Sequence, residues 1–353
     1  MAKKSRNDTA LERLAYLQKE VAALESQNRA LRMQLGKQEV LIERLSEALE
    51  AAPPYPKAYK LRPIKHAKPV WPVMLWSDWH IGEVVEEDET EGFGKYCYDI
   101  AQDRLYDIVD RFLRWIQVQR KIHKIEHCAV FVLGDLISGD IHEELRRYNE
   151  FPLPVQAAKA GYLMSEAVRR LASHFKSVHL WCVGGDNHSR LVPKPQAKKR
   201  FENSMQYLVQ SVATTALAKH QNVIFHEAKS AKTIASVNEW NFLLMHGDQV
   251  KSYLGLPFYG LVRERDREAR KRMRASDMIK YDYIVLGHFH VPSIIEDQIL
   301  INGALCGTTE LDHICGRFAA PAQVAFMVHP EHGLFGWTPF RCNGFHSVAK
   351  QPK

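Results

Sequence analysis

The sequence predicts an α/β protein of two packed sheets flanked by helices, behind an N-terminal coiled-coil helix. Three observations predict it. Apolar residues alternate at spacings of three and four from about residue 10 to 50. Prolines then interrupt the chain at positions 53, 54, 56, 63, 69 and 72. Beyond them strand-like and helix-like stretches alternate, and the C-terminal half is rich in strands.

With Leu14 at heptad position a, the a positions are Leu14, Val21, Asn28, Leu35, Ile42 and Leu49. The d positions are Leu17, Leu24, Leu31, Gln38 and Leu45. This lasts about five heptads, and a lone helix would expose such a stripe to water, so a partner helix is expected. Asn28 at a buried a position pairs with its symmetry mate and favours a parallel dimer, although Gln38 weakens the last third. The organisation expected is a coiled coil over 1–50, a basic proline-rich linker over 51–70, a catalytic domain over 71–345 and a tail over 346–353.

In the catalytic stretch the reading places strands at Val73–Trp76, Ala129–Leu133 and Val178–Val183. Amphipathic helices are placed at 101–122, 155–174 and 201–219. Strands follow near 222–226, 233–237, 241–245 and 282–286, with a helix at about 257–275. Closing strands are expected near 299–303, 323–328 and 335–340.

Bulk composition bounds the rest. The chain has 353 residues, 46% hydrophobic and 25% charged, as in an ordinary globular protein. Its net charge of +7 suits an anionic partner without distinguishing nucleic acid from other anions. Six cysteines are scattered with no C-x-x-C pair, which excludes a zinc ribbon and a dense disulfide scaffold. No signal peptide or membrane-length apolar run is visible, so a cytoplasmic protein without membrane contact is expected.

Five short motifs carry the chemistry, each at the end of an expected strand: Asp78-Trp79-His80, Gly134-Asp135, Gly185-Asp186-Asn187-His188, His246-Gly247-Asp248 and Gly287-His288-Phe289-His290. Ligands at the carboxyl ends of strands converge while the strands stay rigid. In Asp78-x-His80 and His288-x-His290 the alternation of an extended chain would turn both side chains to one side. Carboxylate, imidazole and amide together suit a divalent ion between hard and borderline. Singly each motif is weak, since an isolated histidine is more often structural; the strength lies in the set and its order.

That series resembles the calcineurin-like metallophosphoesterases over roughly residues 71 to 341. The resemblance implies a four-layer α/β/β/α sandwich with a dinuclear site. One ion would take Asp78, His80, Asp135 and His290. The other would take Asp135, Asn187, His246 and His288, with Asp135 shared. His188 would be the catalytic histidine beside the leaving group, and a metal-activated water the nucleophile of an in-line displacement. Two divalent ions are implied, manganese foremost, with iron, zinc and magnesium compatible with the same ligands.

The substrate is read from what surrounds the motifs. The second motif lacks the Asp-Arg-Gly of protein phosphatases, reading Leu136-Ile137-Ser138-Gly139-Asp140 after Asp135, and Ser189 follows His188 where an acidic residue is usual. Both departures argue against a protein phosphatase and leave open what orients His188; His142, Glu143 and Glu144 are the candidates. Within the superfamily the chain is most similar to the DNA double-strand-break-repair exonuclease branch, in its short phage-type forms, whose members are dimeric manganese nucleases. DNA contacts are accordingly assigned to Arg146, Arg147, Lys198, Lys199, Arg200, Arg263, Arg267, Arg270, Lys271 and Arg274. Tyr253, Phe258 and Tyr259 are candidates for base stacking. Two other readings stand beside the nuclease. One is a small-substrate phosphodiesterase or phosphatase acting on nucleotides. The other is a coiled-coil assembly protein with a vestigial site.

Overall fold

The computed structural model describes residues 6–50, 68–227, 230–251, 257–275, 278–316, 318 and 320–342. The expected linker falls mostly outside them, as does the expected tail. The chain divides into two compact units, Met1–Ile64 and Lys65–Lys353.

The first unit is one helix, α1 (Arg6–Glu50), whose 45 residues span about 68 Å at 1.5 Å per residue. It contains no proline, and its only glycine is Gly36, so nothing in it breaks the ladder of backbone hydrogen bonds. Leu14, Leu17, Val21, Leu24, Leu31 and Leu35 of the heptad stripe are all exposed.

The second unit is built on two sheets. Its elements are β1 (Trp71–Trp76), α2 (Tyr98–Gln119), β2 (His127–Val132), α3 (Glu143–Tyr148), α4 (Leu153–Ala172), β3 (Ser177–Cys182) and α5 (Met205–Ala216). They continue with β4 (Val223–His226), β5 (Lys232–Val237), β6 (Trp240–Met245), α6 (Phe258–Arg274), β7 (Tyr283–Leu286) and β8 (Ser293–Ile295). The last are β9 (Ile299–Ile301), α7 (Glu310–Ile314), β10 (Ala322–His329) and β11 (Gly333–Arg341). The first sheet has the order β11-β10-β1-β2-β3-β4, with β1 to β4 parallel. The second has the order β5-β6-β7-β9-β8, with β6, β7 and β9 parallel.

Period-two alternation explains the stacking. Val73, Leu75, Ala129 and Phe131 face Phe242, Leu244, Val285 and Leu300 across the inter-sheet core. Met74, Trp76, Val130 and Val132 point the other way, into a core shared with α2, α4 and α5. On the far side of the second sheet, Leu243, Met245 and Ile284 pack with Leu261 of α6. The result is the four-layer α/β/β/α arrangement, in which strands buried on both faces read as continuous apolar runs.

The expected strands and long helices are present with ends shifted by a few residues. Three short elements escaped the sequence reading: α3, β8 and α7. The reading began α5 four residues early, because Phe201–Ser204 belongs to a loop closed on itself by an Arg190–Ser204 bridge. β1 begins at Trp71 rather than at the expected Val73, and so includes Pro72. All six cysteines are free thiols, as expected. Among the described residues, no helix is long and apolar enough to cross a membrane.

Candidate metal centre

Because β1, β2 and β3 are parallel, and β6 and β7 likewise, all five motifs emerge from carboxyl ends of strands. Backbone hydrogen bonds knit the exits together: Asp78 N–H to the Gly134 carbonyl at 3.1 Å, His80 N–H to that of Asp135 at 3.1 Å, and Gly287 N–H to that of His246 at 2.9 Å. Side chains add cross-ties. The N–H of His288 donates to Asp78 Oδ1 at 3.0 Å, and the N–H of His188 donates to Asp135 Oδ1 at 3.2 Å.

Of the seven residues assigned as ligands, five hold a left-handed backbone: Asp78 (φ 55°), His80 (49°), Asp135 (49°), His288 (68°) and His290 (61°). Such conformations disfavour side-chain-bearing residues and persist where the surroundings over-determine them, which happens at functional sites. The strands themselves therefore end one residue or more before the ligands, and the alternation rule does not aim them. Close approach adds a further demand, since a Cβ on Gly287 would lie 2.5 Å from Asp78 Oδ2.

The structure brings all seven together. Asp78, His80 and His290 form one group able to hold a metal ion, and Asp135, His246 and His288 form another; His80, Asp135 and His188 form a third that joins them. In the first group Nε2 of His80 faces Nε2 of His290 at 3.3 Å, while Nδ1 of His80 is buried without a partner. In the second, Nε2 of His246 lies 2.9 Å from both Asp135 Oδ2 and Asn187 Oδ1. Nδ1 of His246 is 2.9 Å from the Leu133 carbonyl, which fixes the ring and turns Nε2 inward. Electron-pair donors turned on one point require positive charge between them, either a proton or an ion. The donor set fits a divalent metal.

The electrostatics say the same. Burial works against a charged His246, yet the Asp135 carboxylate overrides it and raises the imidazole to about 10. Burial likewise works against ionised Asp135, but the His246 charge holds it well below the usual carboxylate range. Where the pull of the carboxylates is weaker, burial wins. His80 is pushed well down by burial and by His188, and His288 to about 4 by burial and by His246.

Supporting residues, several invisible in the sequence, hold the ligands. Ser77 donates to Asp78 Oδ2, and Asn302 Nδ2 donates to Ser77 Oγ at 2.8 Å. Gln323 anchors that corner through Oε1, which accepts from the Ser77 N–H at 3.0 Å and from Asn302 at 3.1 Å. Asp312, buried at the start of α7, lies 3.7 Å from Nδ1 of His290. Its signal was present in Thr309-x-x-Asp312, the capping box that opens α7. Trp79 and Phe289 pack: Trp79 is buried against Trp76, and Phe289 joins the core beneath α6.

His188 is oriented by backbone. Its Nδ1 lies 2.6 Å from the carbonyl of Ser138, which makes Nδ1–H the donor and leaves Nε2 toward Asp135 Oδ2 at 4.0 Å. Of the three candidates for that role, His142 stands off with ring centroids 6.4 Å apart, and Glu143 and Glu144 are exposed on α3.

The basic residues are dispersed. Arg146 and Arg147 on α3 make loose contacts with Asp140 (4.0 Å) and Glu143 (3.7 Å). Lys199 pairs with Glu202, and Arg200 is largely enclosed in an ion pair with Asp248 at 2.6 Å. On α6, Arg267 pairs with Glu264 and Lys271 with Glu268. Arg263, Arg270 and Arg274 are exposed and make no ion pair among the described residues, as does Lys198. Phe258 and Tyr259 are exposed at the start of α6. Tyr253 lies outside the described residues.

No protein-family model and no curated protein matches the chain. Among solved structures, Vps29 of Entamoeba histolytica complexed with zinc is similar at 12% identity and a TM-score of 0.30, over 76% of this chain and 99% of that one. Vps29 of Cryptosporidium parvum is similar at 14% identity and a TM-score of 0.31, over 78% and 100%. A conserved uncharacterised protein of Streptococcus pneumoniae TIGR4, described as a predicted phosphoesterase, is similar at 11% identity and a TM-score of 0.26, over 51% and 90%. Likenesses at these scores carry no weight for function.

Proposed function

We propose that the chain is a two-metal phosphodiester hydrolase of the calcineurin-like metallophosphoesterase type, and that its substrate is DNA. The observation that carries the hydrolase reading is the pair of three-residue groups, Asp78–His80–His290 and Asp135–His246–His288, joined through Asp135 at five strand ends. Asn187 Oδ1 completes the second group as a neutral ligand, adding no charge to repel a phosphate. Two divalent ions, manganese first among them, would be held there and would supply charge to polarise the phosphoryl group and acidify a water.

The chain's own residues do the rest. Ser138 fixes the tautomer of His188, so that Nε2 is the atom offered to the leaving-group oxygen. Protonated there, His188 donates to the departing alkoxide or stabilises the pentavalent oxyanion. The tie from the His188 N–H to Asp135 keeps this imidazole in register with the shared carboxylate.

The DNA reading rests on the net charge of +7 and on the uncompensated cations Lys198, Arg263, Arg270 and Arg274. A nucleotide-sized ester is the competing substrate, favoured by the ion pairs that neutralise Arg200, Arg267 and Lys271. We also infer that α1 pairs in parallel with α1 of a second copy, because its heptad residues are exposed and Asn28 sits among them at an a position.

The test is cleavage of labelled single- and double-stranded DNA with manganese, beside bis(p-nitrophenyl) phosphate, for the parent and His188→Ala. DNA cleavage that falls by about 10²-fold or more in the variant, with both ions retained, is the expected outcome. Loss of metal from His188→Ala would overturn its assignment as a non-ligand. Turnover of the small ester with DNA left intact would replace DNA by a small substrate.

A further inference from the structure

Beside the metal centre lies a cavity that the reaction as described does not use. The loop from Arg190 to Ser204 supplies most of its walls, which include Asp186, Arg190, Gln196, Arg200, Asn203 and Asp248. Asp186 directly precedes Asn187, and Asp248 follows His246 by two residues, so the cavity shares a wall with the second group of ligands.

Its formal charges balance, two aspartates against two arginines, but they are not all paired, and Asp186 Oδ2 is itself buried without a hydrogen bond. Asp248 is paired with Arg200 at 2.6 Å, and Asp186 Oδ1 accepts from the N–H of Ser189 at 2.6 Å. Arg190 has no such partner. Among the described residues its side chain makes no hydrogen bond or ion pair, and its Nε is buried with nothing to donate to. The same is true of Nε of Arg200. A buried donor left unsatisfied is costly, more so when charged, and is found where a ligand or water completes it. Arg190 is also among the charges that act on His142, whose imidazole is lowered by burial, then by His188 and then by Arg190.

We propose that this cavity is a second phosphate subsite, in which Arg190 grips a phosphate one step along the chain from the scissile phosphodiester. This rests on the hydrolase reading for its place in the reaction and adds to it a substrate class: a phosphodiester with a neighbouring phosphate, as in an oligonucleotide or a phosphorylated dinucleotide. A guanidinium offers a phosphate two parallel N–H donors, which an ammonium cannot.

The experiment compares binding of a thymidine dinucleotide with and without a terminal phosphate, the 5′ and 3′ forms in turn. Full-length protein is titrated calorimetrically with chelator present, so that no turnover intervenes. One terminal phosphate is expected to tighten binding about tenfold in the parent. Arg190→Gln is expected to abolish that increment and Arg190→Lys to restore part of it. Equal binding of all three dinucleotides by the parent overturns the subsite without recourse to any variant. So does an increment that survives in Arg190→Gln. Hydrolysis of the unphosphorylated dinucleotide with manganese is scored separately. Its absence alongside phosphate-dependent binding sinks the hydrolase reading and leaves the subsite standing.

Discussion

His188 and Gly139 form one unit. A Cβ on Gly139 would come within 2.1 Å of the His188 carbonyl oxygen, and the glycine sits at φ +76°. Gly139→Ala should therefore displace the segment that carries His188, lowering turnover by at least tenfold while leaving metal affinity nearly unchanged. Kinetics alongside metal titration check this, and an active variant would mean the neighbouring backbone yields freely. Ser77→Ala is the complementary case. Removing the hydroxyl that donates to Asp78 should weaken metal binding about 10- to 100-fold, read by competition with a chelating dye. Asp78, His80, Asp135, Asn187, His246, His288 and His290 were legible because each is a ligand type at the end of an apolar run. The backbone acceptor on Ser138 was not, because a carbonyl leaves no trace in residue identity. Nor was the Ser77–Asn302–Gln323 network, whose members follow β1, follow β9 and lie on β10, so that they meet only where the two sheets come together.

Among the elements, α1 is the one with a long exposed apolar stripe. A 45-residue helix with an apolar stripe in water is marginal until another helix covers it. Deleting residues 1–50 is expected to lower the mass in solution to that of a monomer, measured by light scattering, with turnover of a small phosphodiester retained. An unchanged mass would remove the pairing argument. The long elements were legible because periodicity accumulates over many residues. α3, with 6 residues, and α7, with 5, are too short for a period to register, and only the capping box of α7 announces it. On α6 a run of arginines read as a nucleic-acid face, yet the helix buries Glu264, Glu268 and Arg272 and ties Lys232 to both glutamates at 2.5 and 2.9 Å. Much of its charge is spent on packing, which residue counts along the sequence do not reveal.

At the scale of the whole molecule, acid stability depends on groups remote from the site as well as on His80 and His288 within it. At the end of the sheet away from the ligands, His127, Ser177, His179 and His226 form a hydrogen-bonded chain across β2, β3 and β4. Burial, then the neighbouring His226 and His127, lower His179 to about 4, against about 6.5 for an unperturbed imidazole. Between those values the unfolded chain binds a proton that the folded one refuses, so stability falls as pH drops from about 6.5 to 4. His179→Phe should lose less stability over that window than the parent, as read from urea midpoints. An identical pH dependence would show that His179 is not the group responsible. The left-handed backbone at five of the proposed ligands has a consequence of another kind. The cost of holding those residues is charged to folding, whereas its return arrives only with the ions. Metal supply then becomes a variable of protein abundance as well as of catalysis. With ions at a hundred times their dissociation constant, about 2.7 kcal/mol per site is added to the fold, a rise of about 5 °C in Tm. A sample stripped of both proposed ions should then melt about 10 °C lower, and a cell short of metal would lose the protein to unfolding and proteolysis before it accumulated an idle enzyme.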